Sequence, residues 1–167
     1  GNPYHNLVFG IGLHDPQGLA WDPSKRLYAS DYSQDAWSEV NQVQPGKNYG
    51  WPTVVGAVHN ASYVDPIAQW RPVEGACAGT AVAEEILITA CLDGTRLYAL
   101  QLTTGGTVLG APQPLLKGDF GRLRSIAKAP DGSLWVATSN KDGKGTPGPD
   151  DDRIVRFIPS GSAGSLS

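Results

Sequence analysis

Several features are missing from this chain of 167 residues, and each absence excludes a class of protein. The longest apolar run, residues 86–92, is far too short for a transmembrane helix, which needs about 20 apolar residues. No segment shows the period of an amphipathic helix, so a parallel α/β fold is not expected. The formal net charge is −3 with both signs scattered along the chain, which argues against nucleic-acid binding.

Short apolar runs separated by turn residues are what the sequence contains instead. Residues 18–21 and 26–29, for example, are split by the turn sequence D-P-S-K, a strand–turn–strand pattern. The same plan occurs three times, in residues 18–43, 79–100 and 125–159. Copies spaced by roughly 45–60 residues, with about four short strands each, are typical of propeller blades. The predicted fold class is therefore all-β, a β-propeller with about three four-stranded blades.

Three blades do not close a ring, since closed propellers typically have about 4–8 blades. Residues 1–159 are predicted to form part of a larger, six-bladed ring. We expect the ring to be completed by the N-terminal half of the same propeller or by a second chain. The chain contains no methionine, which favours a processed or truncated piece. Residues 160–167, rich in Gly and Ser, are predicted to be a flexible tail.

The two cysteines, Cys77 and Cys91, carry information about the cellular compartment. They flank a predicted hairpin with the three-residue loop 83–85, in which Val82 faces Ile86. Counting outward along both strands, Cys77 then faces Cys91, and facing residues lie about 4.5–5.5 Å apart, within reach of a disulfide. Two buried free thiols are the alternative. The disulfide is the prediction, and with it a secreted or periplasmic location.

Four segments resemble a known family. They read G-L-H-D-P-Q-G-L-A-W-D at residues 12–22, W-S-E-V-N at 37–41, P-G-K-N-Y-G-W-P at 45–52, and G-R-L-R-S-I-A-K-A-P-D-G-S-L-W-V at 121–136. In this order they are similar to the glucose/sorbosone dehydrogenase family, soluble sugar dehydrogenases that use pyrroloquinoline quinone (PQQ) on a six-bladed propeller. The resemblance places the chain in the C-terminal half of such a protein.

The resemblance implies an enzyme that transfers a hydride from C1 of an aldose to bound PQQ, with calcium as a second cofactor. In this family the catalytic base is a histidine in the N-terminal half. No catalytic residue is therefore predicted in this chain, and the chain by itself is expected to be inactive.

Arg122 and Arg124 are the first candidates for cofactor binding. They stand two apart at the start of a predicted strand, so their side chains leave the same face. Two parallel guanidinium groups suit a ligand with several carboxylates, because each can donate paired, charge-assisted hydrogen bonds. PQQ is a tricarboxylate, and the family places two arginines of this spacing against it. The alternative is an ordinary surface pair with acidic neighbours such as Asp119.

Other positions depart from the family pattern. His14 and Asp15 stand where the family usually has Arg and Asn against the quinone, and both are predicted to contact the cofactor. Asp15 would repel a carboxylate-bearing ligand. Asp93 stands where the family has a lysine. Ser33 and Gln34 replace the Gly-Pro pair whose carbonyls hold calcium, so their carbonyls are the predicted metal ligands.

These departures leave two alternatives to the enzyme. One is a propeller that has lost the cofactor and binds carbohydrate or protein, which the residues at positions 14, 15 and 93 favour. The other is a metal-dependent lactonase-like hydrolase, for which the sequence shows no inward set of carboxylates and asparagine. The sugar oxidoreductase is the preferred prediction.

The remaining candidates have simpler interpretations. Trp21, Trp51 and Trp135 are predicted to fill blade cores rather than to stack on sugars, with a contact at the rim as the alternative for Trp51. The acidic run 150–152 is interpreted as a solvated turn, with a calcium loop that includes Asp142 as the alternative.

Overall fold

The computed structural model describes residues 2–158, which contain eleven β-strands and no helix. The strands form three antiparallel sheets, here called blades 1, 2 and 3 in chain order. Both the fold class and the three-blade plan are confirmed, with one strand fewer than predicted in blade 3 within the described residues. The predicted tail, residues 160–167, lies outside them. Blade 1 consists of β1 (Pro16–Trp21), β2 (Leu27–Asp31), β3 (Ser38–Val43) and β4 (Ala68–Trp70); blade 2 of β5 (Cys77–Ala83), β6 (Ile86–Cys91), β7 (Arg96–Gln101) and β8 (Gln113–Leu115); blade 3 of β9 (Leu123–Lys128), β10 (Leu134–Thr138) and β11 (Ile154–Phe157).

The blades stack face to face, and the first strand of each blade packs against the first strand of the next. Blade 2 lies between the other two, so every residue of β5 is buried. Each gap between blades holds an apolar core, which supplies the main driving force for stacking. The core between blades 1 and 2 includes Tyr28, Val40, Leu87 and Leu100, and that between blades 2 and 3 includes Ile88, Leu97, Leu123, Leu134 and Val136.

We call the first strand of each blade (β1, β5 and β9) its inner strand. Two glycines allow neighbouring inner strands to pack in direct contact. A methyl group on Gly18 of β1 would lie 2.6 Å from the backbone nitrogen of Thr80 in β5. A methyl group on Gly79 of β5 would lie 2.5 Å from the Cα of Ser125 in β9. Real Cβ atoms do not approach backbone atoms this closely. Glycine is therefore required at both positions by the contact between neighbouring blades.

A β-bulge corrects the register of the hairpin that carries the cysteines. The turn between β5 and β6 is one residue shorter than predicted, so Ala83 belongs to the strand and faces Ile86. A register shift between Cys77 and Gly79 then brings Cys77 back opposite Cys91. The two cysteines form a disulfide, and their Cα atoms lie 3.8 Å apart, closer than predicted. The predicted bond is confirmed, and the predicted three-residue loop is wrong.

Removing the disulfide is expected to destabilise the fold. The double variant Cys77→Ala/Cys91→Ala should lose about 3 kcal/mol of unfolding free energy, because the bond closes a short loop with a sequence separation of 14. Urea unfolding with and without a reductant is the measurement. Reductant should lower the midpoint of the wild type toward that of the variant and leave the variant unchanged. Equal midpoints for both proteins in the absence of reductant would contradict the prediction.

The prediction that three tryptophans fill blade cores is wrong. Trp21 and Trp135 are 57% and 41% exposed, while their neighbours Ala20 and Val136 point into the cores. The two tryptophans therefore lie on the outer faces of blades 1 and 3, which have no neighbouring blade among residues 2–158. Trp51, in the loop after β3, is 43% exposed. Alternation along a strand shows that its faces differ, but not which face has a partner.

Candidate functional site

The three inner strands start at the same end of the stack, which we call the mouth. Antiparallel pairing places the end of the second strand of each blade there too, so the turns after β2, β6 and β10 all reach the mouth. All the sequence-predicted site residues belong to these turns or to the starts of β1 and β9. Blades 1, 2 and 3 thus contribute to one surface.

Contacts between blades show that these loops meet. Lys144, in the turn after β10, donates from Nζ to the Gln34 side-chain oxygen of blade 1 at 2.7 Å. Arg122 of blade 3 forms an ion pair with Asp93 of blade 2. Tyr32 of blade 1 lies within electrostatic range of Asp93 and Arg122, and burial followed by the charge of Asp93 raises its pKa. The mouth is therefore a continuous cluster across all three blades.

The predicted arginine pair lies at the centre of this cluster. Arg122 and Arg124 flank the buried Leu123, and both reach Asp142 in the turn after β10. The Oδ2 atom of Asp142 accepts from Nε of Arg122 at 3.0 Å and from Nη2 of Arg124 at 3.3 Å. Arg122 also donates to Asp93, and Arg124 donates from Nε to Ser139 Oγ at 2.9 Å. The side chain of Arg122 is 8% exposed and that of Arg124 is 47% exposed.

The ion pairs set the charge state of the cluster. Burial acts to lower the pKa of Arg122, but its hydrogen bonds to Asp93 and Asp142 outweigh burial and raise that pKa. Partial burial acts to raise the pKa of Asp142, but the Lys144 N–H and the Arg122 guanidinium outweigh it and lower that pKa. Asp142 is therefore an ionised carboxylate at neutral pH, held between two guanidinium groups.

The segment that carries His14 and Asp15 is fixed by a buried carboxylate. Asp31 accepts the backbone N–H of His14 at 2.8 Å and that of Asp15 at 2.6 Å. Burial raises the pKa of Asp31, and the two N–H groups oppose the rise. The His14 ring contacts the carbonyl oxygen of Tyr32 through Nδ1 at 3.0 Å and lies 5.3 Å from Trp51, centroid to centroid.

His14 and Asp15 relate differently to the arginine pair. Through Tyr32, His14 lies next to the cluster at the mouth. Asp15 is exposed, and its carboxylate accepts a hydrogen bond from Gln17 at 2.8 Å. Among the described contacts, neither side chain touches Arg122 or Arg124.

The turn at Ser33 and Gln34 offers few ligands for calcium. The carbonyl oxygen of Ser33 accepts a hydrogen bond from the Ser38 hydroxyl at 3.0 Å. The ammonium group of Lys144 lies against the Gln34 side chain and would repel a cation. Residues 2–158 contain no group of three or more His, Cys, Asp or Glu side chains placed to hold a metal ion. In this form, the turn alone does not fit a calcium ion.

Asp142 has a role at the site that the sequence does not identify. The sequence groups it with the acidic run 150–152 as a calcium-loop alternative, but Asp151 pairs with Arg153 and Asp142 pairs with the arginines. One signal was available: the turn after β10 lies beside the start of β9 in an antiparallel hairpin. The side chain that would fill that position could not be derived from spacing.

The arginine pair fits a carboxylate ligand, because it already binds one. The carboxylate of Asp142 bridges the two guanidinium groups and serves as a stand-in for a ligand carboxylate. A polar cavity of about 560 Å³ opens on the Arg122 side of the pair, lined by the cations Arg122, Lys144 and Arg153 and the carboxylates Asp93, Asp119 and Asp151. A small anionic ligand therefore has space beside Arg122 and donors from its guanidinium group.

Sequence comparison identifies the family. The sequence model of the glucose/sorbosone dehydrogenase family matches residues 1–155. The chain belongs to this family. Its fold is accordingly a partial β-propeller of the kind that sugar dehydrogenases have, and the predicted resemblance is confirmed.

Similar solved structures agree with this assignment. The PQQ-bound aldose sugar dehydrogenase of Streptomyces coelicolor is 43% identical with a TM-score of 0.89, covering 93% of this chain and 47% of that one. An oxidoreductase from Thermus thermophilus, described as a glucose dehydrogenase, is 38% identical with a TM-score of 0.84, covering 93% of this chain and 50% of that one.

A curated relative is similar over a comparable share of its length. The aldose sugar dehydrogenase YliI of Escherichia coli is 24% identical over 159 residues, covering 82% of this chain and 42% of the relative. The chain thus spans about half the length of the proteins it matches. Within residues 2–158 there is no helix long and apolar enough to cross a membrane.

Proposed function

We propose that this chain is part of a PQQ-dependent sugar oxidoreductase and supplies one side of its cofactor site. The observation that carries the proposal is the Arg122–Arg124 pair at the mouth, which binds the carboxylate of Asp142. The chain belongs to a family of sugar dehydrogenases. Bound PQQ would supply the two-electron acceptor, taking a hydride from C1 of an aldose.

Each residue at the mouth then has a defined task. Arg122 and Arg124 bind ligand carboxylates through charge-assisted hydrogen bonds. Asp31 fixes the backbone of His14 and Asp15, so that the imidazole stays beside the ligand. The exposed carboxylate of Asp15 weakens binding of an anion nearby.

In this proposal, calcium binds only when PQQ is also bound. The carbonyl groups of Ser33 and Gln34 alone do not make a site. Carbonyl oxygens together with ligand carboxylates and water offer the six to eight or so oxygen donors that calcium prefers.

The remainder of the ring forms the second part of the proposal. The outer faces of blades 1 and 3 expose apolar side chains, among them Leu19, Trp21, Trp135 and Ile154. Further blades, from the N-terminal half of the same propeller or from a second chain, would bury these faces and bring the catalytic base. The disulfide favours a secreted or periplasmic location, since such bonds persist in oxidising compartments.

Titration of the complete protein with PQQ, with and without calcium, tests the proposed function. We expect saturable binding that is tighter with calcium, and a reduced-quinone spectrum when an aldose is added. The same protein without PQQ, mixed with aldose and an electron-acceptor dye, is the control and should leave the dye oxidised. Absence of PQQ binding in the presence of calcium would refute the oxidoreductase proposal.

A binding module that has lost the cofactor is the second candidate. The charges of Arg122 and Arg124 are cancelled by those of Asp93 and Asp142, so the arginine pair with its partners offers a tricarboxylate no net positive charge. If PQQ does not bind while neutral sugars do, as measured by calorimetry, this second function replaces the first.

A further inference from the structure

The carboxylate of Asp142 can act on the arginine pair in two ways. Its Oδ2 atom occupies the place between the two guanidinium groups where a ligand carboxylate would bind, and its side chain is only 18% exposed. The residue either holds the arginines in position for a ligand or competes with that ligand. The two roles predict opposite effects when the carboxylate is removed.

The other contacts of the arginines favour competition. Arg122 is held independently by Asp93 through Nη1. Arg124 donates from Nε to Ser139, whose hydroxyl also donates to Asp142 Oδ2 at 3.3 Å, a bond that an amide oxygen at position 142 can also accept. Both side chains therefore keep an anchor when Asp142 is neutralised. Positioning does not require a carboxylate between them.

The charges of the cluster also favour competition. With Asp93 and Asp142 ionised, the two negative charges cancel the two positive charges of Arg122 and Arg124. Neutralising Asp142 leaves two positive charges against one negative charge among these four residues, of which Asp93 and Arg122 line the polar cavity. A carboxylate ligand is then attracted more strongly to the arginines and no longer competes with the Asp142 carboxylate.

We propose that Asp142 is a built-in counter-ion, which an anionic ligand must displace, and that it sets the affinity of the mouth for polycarboxylates. This inference rests on the proposed function in that it concerns the same arginine pair. It also identifies the turn after β10 as the element that moves when a ligand binds. Lys144 lies two residues further along that turn and would leave Gln34 in the same movement.

Calorimetric titration of the complete protein with benzene-1,3,5-tricarboxylate, a redox-inert planar anion, tests the proposal at constant ionic strength. Asp142→Asn should bind this probe about 10- to 100-fold more tightly than the wild type, because one charge-assisted competitor is removed. Adding Arg124→Ala to that variant should abolish the gain. Asp131→Asn, which removes a carboxylate paired with Arg156 at the surface, is the matched control and should leave the affinity unchanged.

The sign of the effect decides between the two roles. Unchanged, weaker or unmeasurable binding by Asp142→Asn overturns the proposal, and weaker binding makes Asp142 a positioning residue. If that variant does not fold, Asp142→Ser, which also removes the carboxylate, takes its place with the same expected direction. Tighter probe binding by Asp142→Asn with no PQQ binding by the wild type would refute the proposed function but support the counter-ion. PQQ binding that Asp142→Asn does not strengthen, together with unchanged probe binding, would support the proposed function and refute the counter-ion.

Discussion

Gly79→Ala is expected to lower the free energy of unfolding by about 3 kcal/mol or more, a large effect for one added methyl group. The new Cβ would lie 2.5 Å from Ser125 Cα, 2.8 Å from Ile126 N and 3.0 Å from the Arg124 carbonyl oxygen. All three are backbone atoms of β9, so no side-chain rotation can relieve the overlap. Strands β5 and β9 must separate, and the core between blades 2 and 3 loses contact.

Gly105→Ala is the matched control for this prediction. Gly105 has an ordinary φ angle, and the nearest atom to its added methyl group, Thr103 Oγ1, is 3.7 Å away. Its stability should stay within about 0.5 kcal/mol of the wild type. Denaturant unfolding of both variants of the complete protein is the measurement. Equal midpoints for the two glycine variants would show that the inner strands are not in close contact.

The arrangement of strands could be predicted from the sequence, because it depends on local signals. Alternating apolar residues and turn sequences identified the hairpins of all three blades within a few residues. The cysteine pair shows the limit of such counting. The loop before Ile86 was one residue shorter than assumed, and a bulge next to Cys77 cancelled the error. A bulge leaves no reliable trace in the pattern of apolar residues.

Contacts between blades could not be predicted in the same way. Large aromatic side chains are usually buried, which favours a core position for Trp21 and Trp135, but both lie on the exposed faces of the outer blades. Antiparallel pairing places the turn after β10 beside Arg122 and Arg124, but no spacing rule indicates which residue of that turn contacts them. The family resemblance identifies the two arginines as candidates. Only the packing of β9 against β10 shows that Asp142 is their carboxylate partner.

The two arginines are expected to differ in what they contribute. Arg124→Ala should weaken PQQ binding by the complete protein about 10- to 150-fold, the loss of one charge-assisted pair. Its stability should change little, because the side chain is 47% exposed and its ion pair lies near solvent. Arg122→Ala should weaken binding similarly and also lower the free energy of unfolding by about 1–3 kcal/mol. That change leaves Asp93 and Asp142 facing each other without the buried cation between them.

Arg156→Ala is the control for both variants, since Arg156 is 45% exposed and pairs with Asp131 away from the mouth. PQQ titration and thermal melting of the three variants separate the two contributions. A pure ligand role for Arg122 would leave its melting temperature equal to that of Arg156→Ala. A pure structural role for the pair would leave PQQ affinity unchanged in Arg124→Ala, and the cofactor site would then have to lie elsewhere on the propeller. Loss of affinity in both variants, with loss of stability in Arg122→Ala alone, is the result that the geometry of the ion pairs predicts.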